Sequence, residues 1–443
     1  MKVFFNMGGR TMQKRRLRIL GGIFLGTILL TGCGNSGSSK KDNSFEKTGD
    51  TTEMIEEITV ENTTDTTGES EKPEADLPTT ESTPFSDSID IETGEKSSST
   101  TFFAMDTVIG LTVYGEDSEV SLKESADLID RLDGVFSTER TDSEVYYLNN
   151  NGNAACSDEL IEVIKMSQEL SHETDGAFNI ALYPLSDAWG FFSKNYRVPD
   201  DTEISELLLQ TNPDNVEVLE LPAREWSNAV SSGYADDEES GELLFGVRFK
   251  ENGMKIDLGA IAKGYIADEV NELLTSKDEN ALTGAMISLG GSISFIGSKP
   301  DGKPWRVGIQ NPYGSQGDYI AVISIDGLSD NGMSAMSVVT AGTYERYFEQ
   351  DGNYYHHIID PATGYPADTD IVSATIISSD SAVADALSTI AVLLGYDKTV
   401  ELWHMGKYDF EMVLVKSDTS IYVTEGIADS FSSDLSFEVI PFN

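Results

Sequence analysis

The sequence predicts an α+β fold: a single domain with a mixed or antiparallel sheet and packed helices, preceded by a disordered tether. Three observations carry this. Runs of β-branched and aromatic residues interleave with amphipathic stretches of helical period, without a strict βαβ alternation. Composition changes near residue 101, where an acidic Ser/Thr-rich segment gives way to apolar patterning. The remaining chain, about 340 residues, is long enough to bury a large core.

Residues 1–33 read as an address. Lys14, Arg15, Arg16 and Arg18 precede an apolar run from Ile19 to Leu30 that is too short to span a bilayer. The run ends in Leu30-Thr31-Gly32-Cys33, which looks like a bacterial lipobox. In that reading the leader is cleaved and lipidation at Cys33 holds the protein to the cell membrane on its extracytoplasmic face. A plain secretory signal followed by a chance cysteine is the alternative. Residues 34–100 carry 17 acidic and 5 basic residues and no sustained apolar period. Such a segment cannot offset its ordering entropy, and as a flexible chain it would span roughly 45 Å.

The folded region is expected from Thr101. Phe102–Tyr114 reads as a strand. Ser121–Phe136 and Asp158–Thr174 place leucines and isoleucines at helical spacing. A third helix is expected from Leu258 to Leu274. Met286–Ile296 reads as one buried strand with a Gly-Gly kink, and Trp305–Gln310 and Tyr319–Ile325 as further strands. Ser337–Thr340, Tyr355–Ile359 and Ile371–Ser378 continue in β, Ser381–Leu394 is a helix, and Phe410–Thr424 closes in strands. The polar piece from Ala223 to Glu242 reads as a surface insertion.

Composition excludes several function classes. A formal charge of −46 without a Lys/Arg cluster outside the leader argues against nucleic acid. With Cys33 lipidated, Cys156 has no disulfide partner. There is no P-loop and no dinucleotide-binding glycine fingerprint, and no zinc-like ligand spacing.

Three constellations remain. Asp257-Leu258-Gly259-Ala260-Ile261-Ala262-Lys263 sits at a strand-to-helix junction, where Asp257 could cap the helix and Lys263 reach an anion. An ordinary capped helix with a solvated lysine is the bland alternative. His356 and His357 are two of only four histidines and precede an Asp-Pro-x-Thr-Gly turn. On an alternating strand they point to opposite faces, so one can serve a site and the other is structural. Asp385, Ser388 and Thr389 share a helix face through their i, i+3 and i+4 spacing, and supply the hard oxygens that Mg²⁺ prefers. A polar helix stripe would look the same.

In order along the chain, the segments AMDT at 104–107, FSTERTDSEVYYLN at 136–149, TDGAFNIALYPLSDAWGF at 174–191, IDLGAIAKGY at 256–265, ISLGGS at 287–292, TAGTYERYF at 340–348, HHIIDPATGYP at 356–366 and ADALST at 384–389 resemble the ApbE family of FAD:protein FMN transferases. The match covers about residues 101–435. The resemblance implies Mg²⁺-dependent transfer of FMN from FAD to a Thr or Ser hydroxyl of an exported acceptor protein, with release of AMP. It implies Asp385, Ser388, Thr389 and the Ala260 carbonyl as metal ligands. It also implies that Asp257, Lys263, Met105, Ala177, Phe178, Asn179 and Ile358 line the FAD site, and His357 is the candidate for proton transfer. The chain departs from the family pattern at Asn179, where Asp is frequent, at Ala341, where Ser is frequent, and at Glu139, where an aromatic is common. Two other readings stay open: a metal-dependent FAD pyrophosphatase giving FMN and AMP, and a non-catalytic solute-binding lipoprotein. Asp385→Ala is expected to abolish transfer with the fold largely intact.

Overall fold

In the computed structural model, residues 84–229, 231–235, 241–277, 282–315, 317–325 and 334–442 are described. The leader, Cys33 and the tether as far as residue 83 lie outside the described residues, as does part of the 223–242 insertion.

The first correction concerns the start of the fold. The tether reading runs to residue 100, yet Phe85–Ser88 forms a helical turn, and β1 (Glu92–Thr93) pairs with β2 (Ser97–Ala104). Ser98 and Thr100 are buried while their neighbours face out, so the segment is amphipathic with polar rather than apolar residues. A hydrophobicity pattern misses such a strand. The second correction is that Phe102–Tyr114 is not one strand. The chain turns at Met105-Asp106, and β3 (Thr107–Gly115) returns antiparallel on β2.

The helices α1 (Ser118–Phe136), α2 (Glu144–Asn151) and α3 (Asp158–Glu173) follow, separated by β4 (Asn153–Ala155). Ser143 and Ser157 cap α2 and α3 by accepting the Tyr146 and Leu160 amides. Short helices α4 (Tyr183–Ala188) and α5 (Asp201–Leu208) lead to β5 (Val216–Pro222) and β6 (Leu243–Phe249), which form a small sheet with β4. After α6 (Ala262–Thr275) comes a second tight hairpin. The expected single strand over 286–296 is β7 (Leu282–Leu289) and β8 (Ser292–Gly297), folded back at Gly290-Gly291. A glycine pair read as a kink is a reversal because Gly290 takes φ +70°.

The remaining strands are β9 (Trp305–Gln310), β10 (Tyr319–Ile325), β11 (Ala335–Gly342), the hairpin β12 (Tyr347–Gln350) and β13 (Asn353–His356), and β14 (Ile371–Ser378). The helix expected over 381–394 continues to His404 as α7 (Ser381–His404), interrupted at Gly395, whose φ of 74° and ψ of 178° are not helical. The chain ends with β15 (Glu411–Lys416), β16 (Ile421–Thr424), β17 (Phe431–Ser432) and β18 (Phe437–Ile440).

Ten strands form the main sheet in the order β1-β2-β3-β7-β8-β11-β14-β15-β16-β18, antiparallel throughout except for the β16–β18 pair. Neighbouring residues serve opposite cores. Ile376, Met412 and Leu414 pack with the helices α1, α6 and α7, whereas Ile377, Val413 and Val423 pack with β9, β10 and β17 on the other face. Both faces of the central strands are therefore covered, which is why β14 is buried at every residue but Val372, its hydroxyl residues Ser373, Thr375 and Ser378 included. A fourth cluster around Trp189, Phe191 and Ile359 supports the β12–β13 hairpin, and the Trp189 indole N–H donates to the Gly364 carbonyl at 2.9 Å.

Candidate active site

The site is built on the crossing of α6 and α7. Each helix caps the other with a buried carboxylate. Asp385 of α7 accepts the Gly264 amide of α6 at 3.0 Å. Asp268 of α6 accepts the Ser381 and Ala382 amides of α7, both at 2.9 Å. These are N-terminal amides that a helix leaves without internal partners. Gly264 lets the helices approach: a Cβ there would run into the Ser381 carbonyl. Gly264 of AIAKG is thus a packing requirement of the helix crossing.

Asp257 does not cap α6, contrary to the sequence expectation. It accepts the Gly259 amide at 3.0 Å in a turn that precedes the helix, which starts at Ala262. Burial raises its carboxyl above the ordinary range, against the pull of the Gly259 N–H, Lys263 and Arg346. Lys263 stands one turn earlier than expected. Its ammonium lies 3.4 Å from Asp385 Oδ2 and donates to the Gly259 carbonyl. Asp385 is 4% exposed, so this cation and the Gly264 amide compensate a carboxylate held away from bulk water. The Ser388 hydroxyl donates to the Asp385 backbone carbonyl at 2.7 Å, one turn back on α7.

Two hairpin turns form a second wall. Met105 and Asp106 both take positive φ, 53° and 55°, as a two-residue turn between twisted antiparallel strands requires. Neither is glycine, so the turn carries strain of order 1–3 kcal/mol per residue that its surroundings must hold. It is held by Arg346, which pairs with Asp106 at 3.2 Å. The Gly290-Gly291 turn lies on the neighbouring hairpin, since Ile109 of β3 pairs with Leu289 of β7.

His357 follows β13 and faces the cavity, whereas His356 is buried, with its Nε2–H donating to the Ala367 carbonyl at 3.0 Å. The His357 amide and Nδ1 both contact the Arg346 carbonyl, at 3.0 and 3.2 Å. A carbonyl only accepts, so Nδ1 carries the proton and Nε2 keeps its lone pair. Burial first, then the charges of Arg346 and His356, pulls His357 down to about 3, so the ring is neutral near pH 7. Glu345 borders the same cavity. Desolvation there raises its carboxyl to about 7, with Lys263 and Arg346 opposing and Asp385 adding to the rise.

These groups line one cavity of about 530 Å³. Met105, Ala177, Phe178, Asn179, Asp257, Ala260, Lys263, His357, Ile358, Asp385, Ser388 and Thr389 all border it. Asn179 does so as part of a turn: its carbonyl oxygen accepts the Ala181 amide and its amide donates to the Thr211 carbonyl, both at 2.8 Å. Glu139 and Ala341, two of the departures, border the cavity too. Sequence reasoning missed Asp106, Asp133, Arg140, Glu345 and Arg346. Each is a common surface residue type, and only the tertiary meeting of distant turns gives it a place here.

The donor set suits Mg²⁺. One carboxylate, two hydroxyls and a backbone carbonyl border the same space, all hard oxygens. Among the described residues no three His, Cys, Asp or Glu side chains are placed to hold a metal ion by themselves. A cation here would draw its remaining ligands from water and substrate phosphate, as Mg²⁺ commonly does.

A model of the ApbE family matches residues 105–414. An FAD:protein FMN transferase of Klebsiella pneumoniae is 31% identical over 76% of this chain and 95% of its own length. One of Treponema pallidum is 34% identical over 64% of this chain and 73% of its own. Among solved structures, the Thermotoga maritima ApbE protein superposes with a TM-score of 0.61 at 31% identity, covering 75% of this chain and 98% of that one. The Pseudomonas stutzeri flavinyl transferase ApbE in its apo form gives 0.59 at 25% identity, covering 78% and 98%. With most of the chain matched in sequence and in fold, and the motif segments converging on one cavity, the protein belongs to the ApbE family.

Proposed function

We propose that the chain is an FAD:protein FMN transferase that moves FMN from FAD to a Thr or Ser hydroxyl of an exported acceptor protein and releases AMP. One observation carries the reading: the cavity brings the Lys263 ammonium, the buried Asp385 carboxylate and a neutral His357 together. Lys263 supplies a fixed positive charge for the pyrophosphate. Asp385, Ser388, Thr389 and the Ala260 carbonyl would hold Mg²⁺, which when bound neutralises phosphate charge and makes the phosphorus more electrophilic. His357 Nε2 takes the proton from the acceptor hydroxyl. The new bond joins the hydroxyl oxygen to the FMN-side phosphorus. The anhydride bond breaks, and AMP leaves with the electron pair.

The pattern over residues 14–33 supports anchoring through Cys33 at the extracytoplasmic face of the cell membrane. Cys33→Ser should then shift the protein from the membrane to the soluble fraction; unchanged fractionation removes the anchor.

The test is the mass of exported proteins after incubation with enzyme, FAD and Mg²⁺. Gain of one FMN on a Thr or Ser supports transfer. Free FMN and AMP without covalent product favour the pyrophosphatase. Binding of FAD with no turnover favours the solute-binding reading.

A further inference from the structure

The main sheet is left open beside the cavity. The hairpin closes at Ala104 opposite Thr107 with a two-residue turn, so Ala104 and the even-numbered residues of β2 direct their backbone groups to β3. The odd-numbered residues direct theirs outward. Outward bonds at 97 and 99 agree: the Gly94 amide donates to the Ser97 carbonyl at 2.7 Å, and Ser99 pairs with Glu92 of β1. Beyond Ser99 the neighbouring chain leaves the sheet. The Asp90 carbonyl accepts the Thr100 hydroxyl, Phe85 packs edge-on against Phe102, and Ser86 bonds to Asp127 of α1. That path runs to the helix side of the sheet. Among the described residues, therefore, the outward N–H and C=O groups of Thr101 and Phe103 have no strand partner, and none of the described strands covers this stretch of the edge. Thr101 is exposed and Phe103 is 68% exposed, an unusual display for an aromatic on a strand edge. The edge leads directly to Met105, and Phe103, Ala104 and Met105 border the cavity.

We propose that this edge of β2 docks an extended segment of the acceptor protein, which pairs there as an added strand and passes its hydroxyl over Met105 into the cavity. Main-chain pairing supplies affinity without demanding a long recognition sequence, and Phe103 supplies an apolar seat for a flanking side chain. The inference rests on the transferase reading, because only a polypeptide acceptor needs such an edge.

The probe is a synthetic extended peptide with one threonine between β-branched residues, added to the full-length enzyme with FAD and Mg²⁺. Two readouts are taken: hydrogen exchange at the Thr101 and Phe103 amides, and FMN on the peptide. Thr101→Pro removes an outward N–H that takes no part in the β2–β3 ladder, so the fold and FAD affinity should hold. It should raise the peptide concentration for half-maximal protection and transfer by about tenfold, whereas Thr101→Ala should not. Protection without transfer in any variant keeps the edge and removes the transferase reading. Transfer without amide protection, or transfer unaffected by Thr101→Pro, overturns the edge and keeps the reading. Protection that grows with enzyme concentration in the absence of peptide overturns it in favour of pairing between two copies of this chain.

Discussion

Asp385 has two duties that different substitutions separate. It accepts the Gly264 amide, and it faces Lys263 and the cavity. The expectation that Asp385→Ala leaves the fold largely intact changes accordingly. Alanine strands a buried amide, which costs about 1–3 kcal/mol. Asp385→Asn keeps an acceptor of the same shape and loses only the charge. We expect both variants to lose transfer by at least about a hundredfold. Only the alanine variant should lose several degrees of Tm, and equal melting of the two would deny the capping role. His357 makes a separate prediction. Pulled down to about 3, it stays neutral across pH 5–8, so it contributes no acid limb near its usual value. His357→Gln should lower kcat by about a hundredfold or more and leave the shape of the pH–rate profile over pH 5–8 unchanged. Loss of a limb near 6.5 in that variant would show that the ring titrates where free histidine does.

At the scale of elements, α6 and α7 depend on each other through their exchanged caps. Asp268 titrates near 3.8 when unfolded and about 7 when folded, raised by burial and by Asp380 and opposed by the amides it accepts. Between those values the native state alone keeps the proton, so this group's contribution to stability falls as pH rises from about 4 and is fully lost above about 7. Denaturant unfolding at pH 5 and pH 8 should show higher stability at pH 5 from this source. Asp268→Asn should reduce the difference; an undiminished one would place the titration elsewhere. Gly264→Ala should cost about 1–3 kcal/mol by forcing α6 off the Ser381 carbonyl, and should lower transfer as Lys263 and Asp385 part. A melting point within a degree of the parent would refute the close crossing. These contacts mark the limit of sequence reading. The face shared by Asp385, Ser388 and Thr389 follows from helical spacing alone, and all three do border one cavity. That Asp385 caps a helix 121 residues away does not follow, because nothing local distinguishes a capping carboxylate from a solvated one. Both hairpin reversals were hidden for a related reason. Met105-Asp106 lacks the glycine that signals positive φ, and Gly290-Gly291 sits between two stretches, Met286–Leu289 and Ser292–Ile296, that read as one strand without Pro, Asn or Asp to mark a turn.

For the whole molecule, the layered architecture decides where the chemistry can sit. Helices cover one face of the ten-stranded sheet and a smaller sheet covers the other, so the free ground is an end, where strands turn. The turns at 105–106 and 290–291, the end of β11 and the start of α6 meet there. The mixed-sheet class was legible because periodicity is local. The assembly of this end was not, because it joins residues as far apart in the chain as Met105 and Asp385. Charge sets the last constraint. The chain carries −46 overall, which disfavours approach of a polyanion, and the cavity sets Arg140, Lys263 and Arg346 against Asp106, Asp133, Glu139, Asp257, Glu345 and Asp385. The carboxylates bordering the cavity outnumber the cations, so binding a pyrophosphate at this end should depend on an added divalent ion. Titration of FAD into chelator-treated protein should give affinity at least about tenfold weaker than with millimolar Mg²⁺, and monovalent salt at equal ionic strength should not restore it. In Asp385→Asn the response to Mg²⁺ should nearly vanish while weak FAD binding persists through Lys263. If FAD binds the chelated protein as tightly as the Mg²⁺-loaded one, the cavity balances the phosphates without a cation, and the oxygens of Asp385, Ser388 and Thr389 serve packing alone.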